Sequence, residues 1–323
     1  MKTHLIIGGT GQDGRYLSDI TRKNDMRPVV TTRNLASVSK TMFLAGTDEF
    51  EILELDPYNS KQVEDLIDYY KPAYISNLTA QSSVGRSFGS PGETYLSCVV
   101  PNLNILEALR AHSIKSKYFH AASSDCFGDN TYLGNMVIPE KSPQSPYASA
   151  KVAASECLQQ YCKHFDVKGF NGFLSNHESV LRGDDFVFPK IFKSVIKIRD
   201  GKQRILALGD LDIVRDWGSA EEFMRGVINY MVSEHFEDFI LGTGVSMSLR
   251  SVVDRAFSNF NLDYRDFVVT DPGLCRSSEI GKMCGTIDFL RNRIGWVPTL
   301  TGFELIDKLQ EDFERKIADE VIS

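Results

Sequence analysis

Tyr147 and Lys151 are the residues of this sequence whose types and spacing point most directly to chemistry. They stand at positions i and i+4 behind Pro146, which suits the first turn of a helix, so both side chains would lie on one helix face. A phenol with a pKa of about 10 is a poor base at neutral pH, but an adjacent ammonium group stabilises its phenolate. The pair therefore predicts a base that takes the proton of a substrate hydroxyl in a redox step. The alternative is a tyrosine and a lysine on the surface of a helix.

A second polar group follows an apolar run that is typical of a buried strand. Ser123, Ser124 and Asp125 come directly after the run Tyr118–Ala122. We expect the Ser123 hydroxyl to hydrogen-bond the substrate hydroxyl beside Tyr147. Because Y-x-x-x-K spacings are common by chance, this second group strengthens the redox interpretation.

Three glycines near the N-terminus, Gly8, Gly11 and Gly14, have the spacing of a dinucleotide-binding loop. The loop follows an apolar strand and opens a helix, and it encloses Gln12 and Asp13. The early glycines let the backbone approach a pyrophosphate, Gly14 lets the helix pack close to the strand, and the helix N-terminus offers free N–H groups. We expect all five residues at a nicotinamide dinucleotide. The alternative is a glycine turn that binds no ligand.

Two residues at later strand ends bear on the choice of cofactor. A carboxylate after the second strand would hold the ribose of NAD, but this position carries Arg33, which favours the 2′-phosphate of NADP. NAD stays possible, since Arg33 could equally be a solvated surface residue. Asp56, after the third strand, is placed to meet the adenine or, alternatively, to form a turn before Pro57.

The elements that would position these residues alternate along the first half of the chain. The predicted strands are His4–Gly8, Pro28–Thr32, Phe50–Leu55, Ala73–Leu78, Tyr118–Ala122 and Gly169–Leu174, and the predicted helices are Asp13–Lys23, Ser60–Tyr70, Glu93–His112 and Pro146–Phe165. Later elements are the helices Pro189–Arg199 and Leu249–Phe260 and the strand Asp238–Leu241. This order predicts an α/β fold with a doubly wound parallel (Rossmann) sheet. We expect a dinucleotide-binding core over residues 1–175, with a returning strand near 238–241, and a smaller, discontinuous substrate lobe over most of 176–323.

Composition limits the partners. The chain has 323 residues and a net charge of −7, which argues against nucleic acid as its main partner. The six cysteines include no C-x-x-C pair, so we expect reduced thiols and no metal site. No apolar run approaches the ~18 residues that cross a bilayer, and no signal peptide is recognisable. We therefore expect a cytoplasmic protein with no membrane partner.

The chain also resembles the GDP-mannose 4,6-dehydratase family of the extended short-chain dehydrogenases/reductases. The matching stretches occur in the family's order and are Gly11–Gly14, Asn77–Val84, Ser145–Tyr147, Asn176–Ser179, Arg215–Gly218 and Gly295–Pro298. The Asn-His-Glu-Ser and Arg-Asp-Trp-Gly stretches are more diagnostic of the family than the glycine loop.

The resemblance implies dehydration of a GDP-sugar, GDP-mannose or a related GDP-hexose or GDP-heptose, to its 4-keto-6-deoxy form, as in polysaccharide biosynthesis. Tyr147, Lys151 and Ser123 would serve the oxidation at C4. Asp125 would remove the C5 proton before water leaves from C6, and the stored hydride would then return to C6.

The resemblance further implies binding residues. Leu78 and Ala80 would contact the cofactor. The substrate would contact Ser83, Asn176, Lys190, Arg215, Arg276 and Glu279, with the two arginines at the diphosphate and Glu279 at the nucleoside ribose. His177 and Glu178 are interpreted as structural.

Departures from the family pattern keep other functions open. Ser123, Ser124 and Asp125 replace the usual Thr-Ser-Glu, so the carboxylate is one methylene shorter. The alternatives are a C4 epimerase, C4 oxidase or 4-keto reductase of a nucleotide sugar, and a non-catalytic cofactor-binding sensor. We expect a homodimer through the helices Glu93–His112 and Pro146–Phe165. The segment after Arg33 lacks the serine-rich run of family tetramers, so a tetramer stays open.

Overall fold

The structure is a computed structural model that describes residues 1–39, 42–43, 50–129, 138–275 and 280–322. Within these residues, the strands are β1 (Thr3–Ile7), β2 (Arg27–Thr32), β3 (Glu51–Glu54), β4 (Tyr74–Asn77), β5 (Lys117–Ser123), β6 (Lys168–Leu174), β7 (Asn176–Glu178), β8 (Leu206–Leu208), β9 (Val214–Ser219), β10 (Phe239–Leu241), β11 (Ser246–Ser248) and β12 (Val268–Thr270). The α-helices are α1 (Gln12–Lys23), α2 (Ser60–Tyr70), α3 (Val84–Gly89), α4 (Pro91–Ala111), α5 (Pro146–His164), α6 (Val187–Arg199), α7 (Ala220–Val232), α8 (Leu249–Ser258), α9 (Asp288–Ile294) and α10 (Gly302–Ile322).

The main sheet has seven parallel strands in the order β10-β6-β5-β4-β1-β2-β3. Its strands read as nearly continuous apolar runs because helices cover both faces. One face packs on α2, α4 and α5, and the other on α1, α7 and α9. The strand order reverses between β1 and β4, where open α/β sheets bind ligands.

A smaller lobe has a hydrophobic cluster of its own, built from α6, α8 and α10. It carries the three-stranded sheet β11-β9-β7 and the pair β12-β8. Trp217 on β9 packs against Phe188 on α6, with ring centroids 5.3 Å apart. The predicted doubly wound parallel sheet with a smaller C-terminal lobe is confirmed.

The element bounds differ from the predicted ones by a few residues, and the differences have local causes. Gly8 leaves the first strand because its φ is +79°, a left-handed conformation that ends the ladder. The helix predicted to begin at Pro189 begins at Val187, since proline is tolerated within a first turn. Among the described residues, no helix is both long and apolar enough to cross a membrane.

Candidate active site

The carboxyl ends of the central strands place the predicted site residues at one edge of the sheet. Gly8 follows β1, Leu78 follows β4, and Ser123 is the last residue of β5. β1 and β5 both pair with β4, so these three positions lie on adjacent strands. Helix α5, which carries Tyr147, packs on β5 beside them.

Tyr147 and Lys151 lie in the first turns of α5 and are 7% and 5% exposed, which is inconsistent with surface residues. The helix begins at Pro146 behind Ser145, whose hydroxyl accepts a hydrogen bond from the Ala148 amide at 3.1 Å. The Lys151 ammonium group lies 5.9 Å from the centroid of the Tyr147 ring. The predicted i, i+4 pair thus shares one buried helix face.

Ser123 connects the tyrosine with a carboxylate. Its hydroxyl donates to Asp125 Oδ2 at 3.0 Å and accepts from the Asp125 amide at 3.2 Å. The Ser123 side chain also acts on the Tyr147 phenol, whose pKa it lowers. Asp125 is half-buried on the 3-10 turn Ser124–Phe127, which is capped by Ser123. The predicted hydroxyl and carboxylate are therefore hydrogen-bonded to each other, beside the predicted base.

The surroundings hold the Tyr147 phenol in its protonated form. Burial raises its pKa well above 10, and the Asp125 charge and the Cys98 thiol raise it further, while the hydrogen bond with Ser123 opposes the rise. The ammonium of Lys151 donates to the Ala121 carbonyl at 2.6 Å. Tyr147 therefore needs additional positive charge close by before it can act as a base.

The glycine loop fits a dinucleotide. A Cβ on Gly14 would lie 2.3 Å from Gly9 Cα, so only glycine allows α1 to pack this close to the loop. Helix α1 begins after Gly11 with no side-chain cap, which leaves its first N–H groups for an anion. A Cβ on Gly11 would approach Gly8 O no closer than 4.0 Å, so that side of the loop is open.

Gln12 and Asp13 direct their side chains away from the open side of the loop and toward β7. Gln12 Nε2 donates to the His177 carbonyl at 3.1 Å, and Ser179 Oγ donates to Gln12 Oε1 at 2.8 Å. His177 Nε2 donates to the Asp13 carboxylate at 3.1 Å. The two motifs therefore bind each other, while the backbone N–H groups of Gln12 and Asp13 lie in the first turn of α1. His177, interpreted as structural, is buried within this contact.

Residues of the predicted substrate site lie on several elements of the lobe. Arg215, on β9, is buried and donates to the Val214 carbonyl at 2.9 Å. Asn176 opens β7 and is half-buried, as is Lys190 on α6. Ser83 caps α3, where its hydroxyl accepts from the Arg86 amide at 3.3 Å. Arg276 and Glu279 lie outside the described residues.

The remaining predicted cofactor residues lie near the sheet edge. Leu78 and Ala80 are half-buried in the loop after β4. Arg33 follows β2 and is exposed. Partial burial raises the pKa of Tyr58, and the positive charge of Arg33 counteracts this rise. Asp56 is exposed and accepts from the Tyr58 amide at 3.0 Å, so it forms the turn considered as its alternative role.

Sequence reasoning missed two sets of buried polar residues. Asp216 accepts four kinds of hydrogen bond, from the amides of Thr243, Gly244 and Gly285 and from the Thr243 hydroxyl. In the sequence, Asp216 was marked only by its place within the Arg-Asp-Trp-Gly stretch. The second set is a row of Asn77, His120 and Asn171 across three strands, and its signal was the presence of polar residues within three apolar runs.

Comparisons with solved structures find the same fold. A solved UDP-glucose 4-epimerase from Thermotoga maritima shares the fold with a TM-score of 0.83, at 20% identity over 98% of this chain and 99% of the other. A dTDP-glucose 4,6-dehydratase from Bacillus anthracis, solved with NAD, also gives a TM-score of 0.83, at 18% identity over 98% and 97% of the two chains.

Sequence comparison resolves the family within this fold. The family model described as GDP-mannose 4,6 dehydratase matches residues 5–309. GDP-mannose 4,6 dehydratase 2 of Arabidopsis thaliana is 30% identical over 336 aligned positions, which cover 98% of this chain and 88% of the plant protein. This chain belongs to the GDP-mannose 4,6-dehydratase family of the extended short-chain dehydrogenases/reductases.

Proposed function

We propose that this protein converts a GDP-sugar, with GDP-mannose as the first candidate, into its 4-keto-6-deoxy form. The observation that carries the proposal is the polar group at the end of β5. There the Ser123 hydroxyl donates to the Asp125 carboxylate at 3.0 Å, and both residues influence the pKa of Tyr147, so one sugar ring bound beside Ser123 can meet a base and a second proton acceptor.

Each side chain has a defined task in this reaction. Tyr147 takes the O4 proton, with Ser123 orienting that hydroxyl and Lys151 stabilising the phenolate. The C4 ketone acidifies the C5 proton, which Asp125 removes, and Asp125 then protonates the C6 hydroxyl as it leaves as water. Tyr147 returns its proton at C5, so no proton is gained or lost overall. A bound nicotinamide would supply the hydride acceptor for C4 and the hydride donor for C6.

We further propose NADP as the cofactor. Arg33 follows β2 at the position that faces the adenosine ribose in this fold, and its exposed guanidinium can bind a 2′-phosphate. Burial and the Asp125 charge keep the pKa of Tyr147 high, and a bound oxidised nicotinamide would bring the positive charge that Tyr147 requires. Phosphate-binding N–H groups come from the start of α1.

The assembly is proposed to be a homodimer through α4 and α5. Tyr95 and Leu96 on α4 are 41% and 56% exposed, and Val99 and Leu103 on the same helix are half-buried. A helix that is apolar on its outer side as well as its inner side is covered by a partner. The expected cytoplasmic location accords with six free thiols.

The proposal is tested by incubating the purified protein with GDP-mannose and NADP and following the sugar by NMR and mass spectrometry. The expected product has lost one water, carries a C4 ketone and a C6 methyl group, and leaves the cofactor oxidised. Net cofactor reduction with a stable 4-keto sugar, or inversion at C4, would replace dehydration with oxidation or epimerisation. GDP-heptose substrates are tested in parallel, and no loss of water from any GDP-sugar would contradict the proposal.

A further inference from the structure

A row of buried polar side chains crosses the sheet beneath α5. Asn77 on β4 pairs with His120 on β5, and His120 pairs with Asn171 on β6. All three residues are at most 1% exposed. Paired residues on adjacent parallel strands point to the same face, so the three side chains are neighbours.

Asn77 and the amide nitrogen of Asn171 have hydrogen-bond partners, but within the described part of the chain the His120 ring and the amide oxygen of Asn171 do not. Asn77 Oδ1 accepts from the Thr79 hydroxyl at 2.6 Å, and Asn171 Nδ2 donates to Asp238 Oδ2 at 2.9 Å. Both ring nitrogens of His120 and Oδ1 of Asn171 have no hydrogen-bond partner among the described residues. Buried polar atoms in folded proteins are paired, often through an enclosed water. Unpaired atoms on adjacent residues therefore mark a place where a bridging group belongs.

Lys151 brings a positive charge close enough to His120 to act on its pKa. Its ammonium donates to the carbonyl of Ala121, the residue after His120. An ammonium group has three N–H donors, so others are available. Burial lowers the pKa of His120 well below 6.5 and the Lys151 charge lowers it further, so the imidazole is neutral and presents one acceptor and one donor.

We propose that His120 is a positioning residue for Lys151, accepting from its ammonium group through a buried water and donating onward to Asn171. In this arrangement each donor meets an acceptor, from Lys151 through His120 and Asn171 to Asp238. This series of hydrogen bonds holds the Lys151 ammonium group close to Tyr147, where the ammonium stabilises the phenolate. This inference rests on the proposed use of Tyr147 as a base.

Several other titratable groups lie around His120 and Lys151. These groups are Tyr118 on β5, Cys98 on α4, Asp125 and Cys126 on the 3-10 turn, Tyr147 on α5, and Asp238 before β10. Burial raises the pKa of Cys126 to about 12 and that of Tyr118 further still, so both stay protonated. Asp125 and Asp238 are carboxylates at opposite ends of the site, and neither is altered in the test variants.

The test measures the pKa of Tyr147 itself in the NADP-bound protein. Tyrosinate absorbance is titrated in each variant and in its Tyr147→Phe counterpart, and the difference isolates Tyr147. His120→Phe removes both ring nitrogens, and we expect the pKa of Tyr147 to rise by about one unit, equivalent to a tenfold effect. His120→Gln keeps an acceptor and a donor, so the pKa of Tyr147 in this variant should stay close to its value in the native protein. Turnover of GDP-mannose at neutral pH should fall about tenfold in kcat with KM nearly unchanged.

His4 provides the matched control. It is equally buried, on β1, and its ring nitrogens are 2.8 Å from the hydroxyls of Thr21 and Ser76. His4→Phe should lower the melting temperature without moving the pKa of Tyr147. An unchanged Tyr147 pKa in His120→Phe would overturn the proposal, whatever happens to stability. His120→Met carries the same expectation where the phenylalanine variant does not fold. Because the titration needs no sugar turnover, it decides the role of His120 even where no GDP-sugar is dehydrated.

Discussion

His177 Nε2 lies 3.1 Å from the Asp13 carboxylate and joins β7 to the first turn of α1. The other ring nitrogen, Nδ1, lies 2.7 Å from the Ser175 carbonyl oxygen. Both partners can only accept, so the ring carries a proton on each nitrogen and is an imidazolium. This ion pair connects the lobe with the phosphate-binding loop.

The pH dependence of this contact follows from the direction of each shift. Burial lowers the pKa of His177, but the Asp13 charge and hydrogen bond outweigh it and the net pKa is raised. The contribution of His177 to the free energy of unfolding is therefore complete below its pKa in the unfolded chain, about 6.5. That contribution is lost as the pH rises through its pKa in the folded protein. Burial raises the pKa of Asp13, but His177 and Arg182 bring it well below its usual range, so its contribution is lost only in strong acid.

We predict that His177→Gln lowers the free energy of unfolding by about 2 kcal/mol near pH 5.5 and by less above pH 8. Urea unfolding across this pH range measures the difference. His112→Gln is the control, because His112 pairs with Glu64 at the surface and such pairs contribute little. A loss for His177→Gln that is the same at every pH would contradict the imidazolium assignment.

Asp125→Asn should separate oxidation from elimination. The amide keeps the shape of the carboxylate but cannot accept a proton, so we expect water loss to fall at least about 100-fold while GDP-mannose still reduces the cofactor. Stopped-flow absorbance of the reduced nicotinamide and mass spectrometry of the sugar measure the two steps. Asp125→Glu should retain dehydration, and Asp129→Asn, an exposed carboxylate just beyond the same turn, should have no effect. Normal dehydration by Asp125→Asn would assign the C5 proton to another base.

Asp216→Asn should destabilise the lobe strongly, although aspartate and asparagine have nearly the same size. An asparagine NH2 would face the amides of Gly244 and Gly285, which donate to Asp216 Oδ2 at 2.9 and 3.0 Å. A donor facing donors leaves buried groups unpaired, so we expect a loss of about 3 kcal/mol in thermal or urea unfolding. Asp212→Asn is the surface control, because Asp212 is 72% exposed beside Arg250. Equal losses in the two variants would show that the hydrogen bonds of Asp216 contribute little.

Arg33→Ala should reduce the preference for NADP over NAD. The guanidinium is the group after β2 that can bind a 2′-phosphate, and we expect the ratio of kcat/KM values for the two cofactors to fall about tenfold or more. Arg27→Ala tests for a general charge effect, since Arg27 begins the same strand and pairs with Glu51. An unchanged ratio in Arg33→Ala would make Arg33 a solvated surface residue.

Leu96→Glu should dissociate the proposed dimer. A carboxylate on the exposed side of α4 would be buried without a partner in a helix-to-helix interface, which is unfavourable. Sedimentation velocity compares it with native protein and with Tyr69→Glu, which alters a residue that is 81% exposed on α2. A native protein that sediments as a monomer would remove the interface altogether.

The sequence by itself determined the fold class and the family, because local patterns encode both. The glycine spacing after β1, the alternation of apolar runs with helical stretches, and the ordered motifs from Gly11 to Pro298 are readable without any long-range contact. The elements lie within a few residues of their predicted bounds for the same reason. The shared helix face of Tyr147 and Lys151 was also implied by their i, i+4 spacing, whereas their burial was decided by the tertiary structure.

Only the tertiary structure decided what the motifs touch. Gln12 and Asp13 are predicted at the cofactor, and the structure adds that their side chains bind His177 and Ser179, which follow more than 160 residues later in the chain. His120 and Asn171 are single polar residues within separate apolar runs, and pairing of β5 with β6 makes them neighbours. Hydrogen bonds and charge fields depend on distance in space, and strand order sets those distances, so no local pattern could have predicted these contacts.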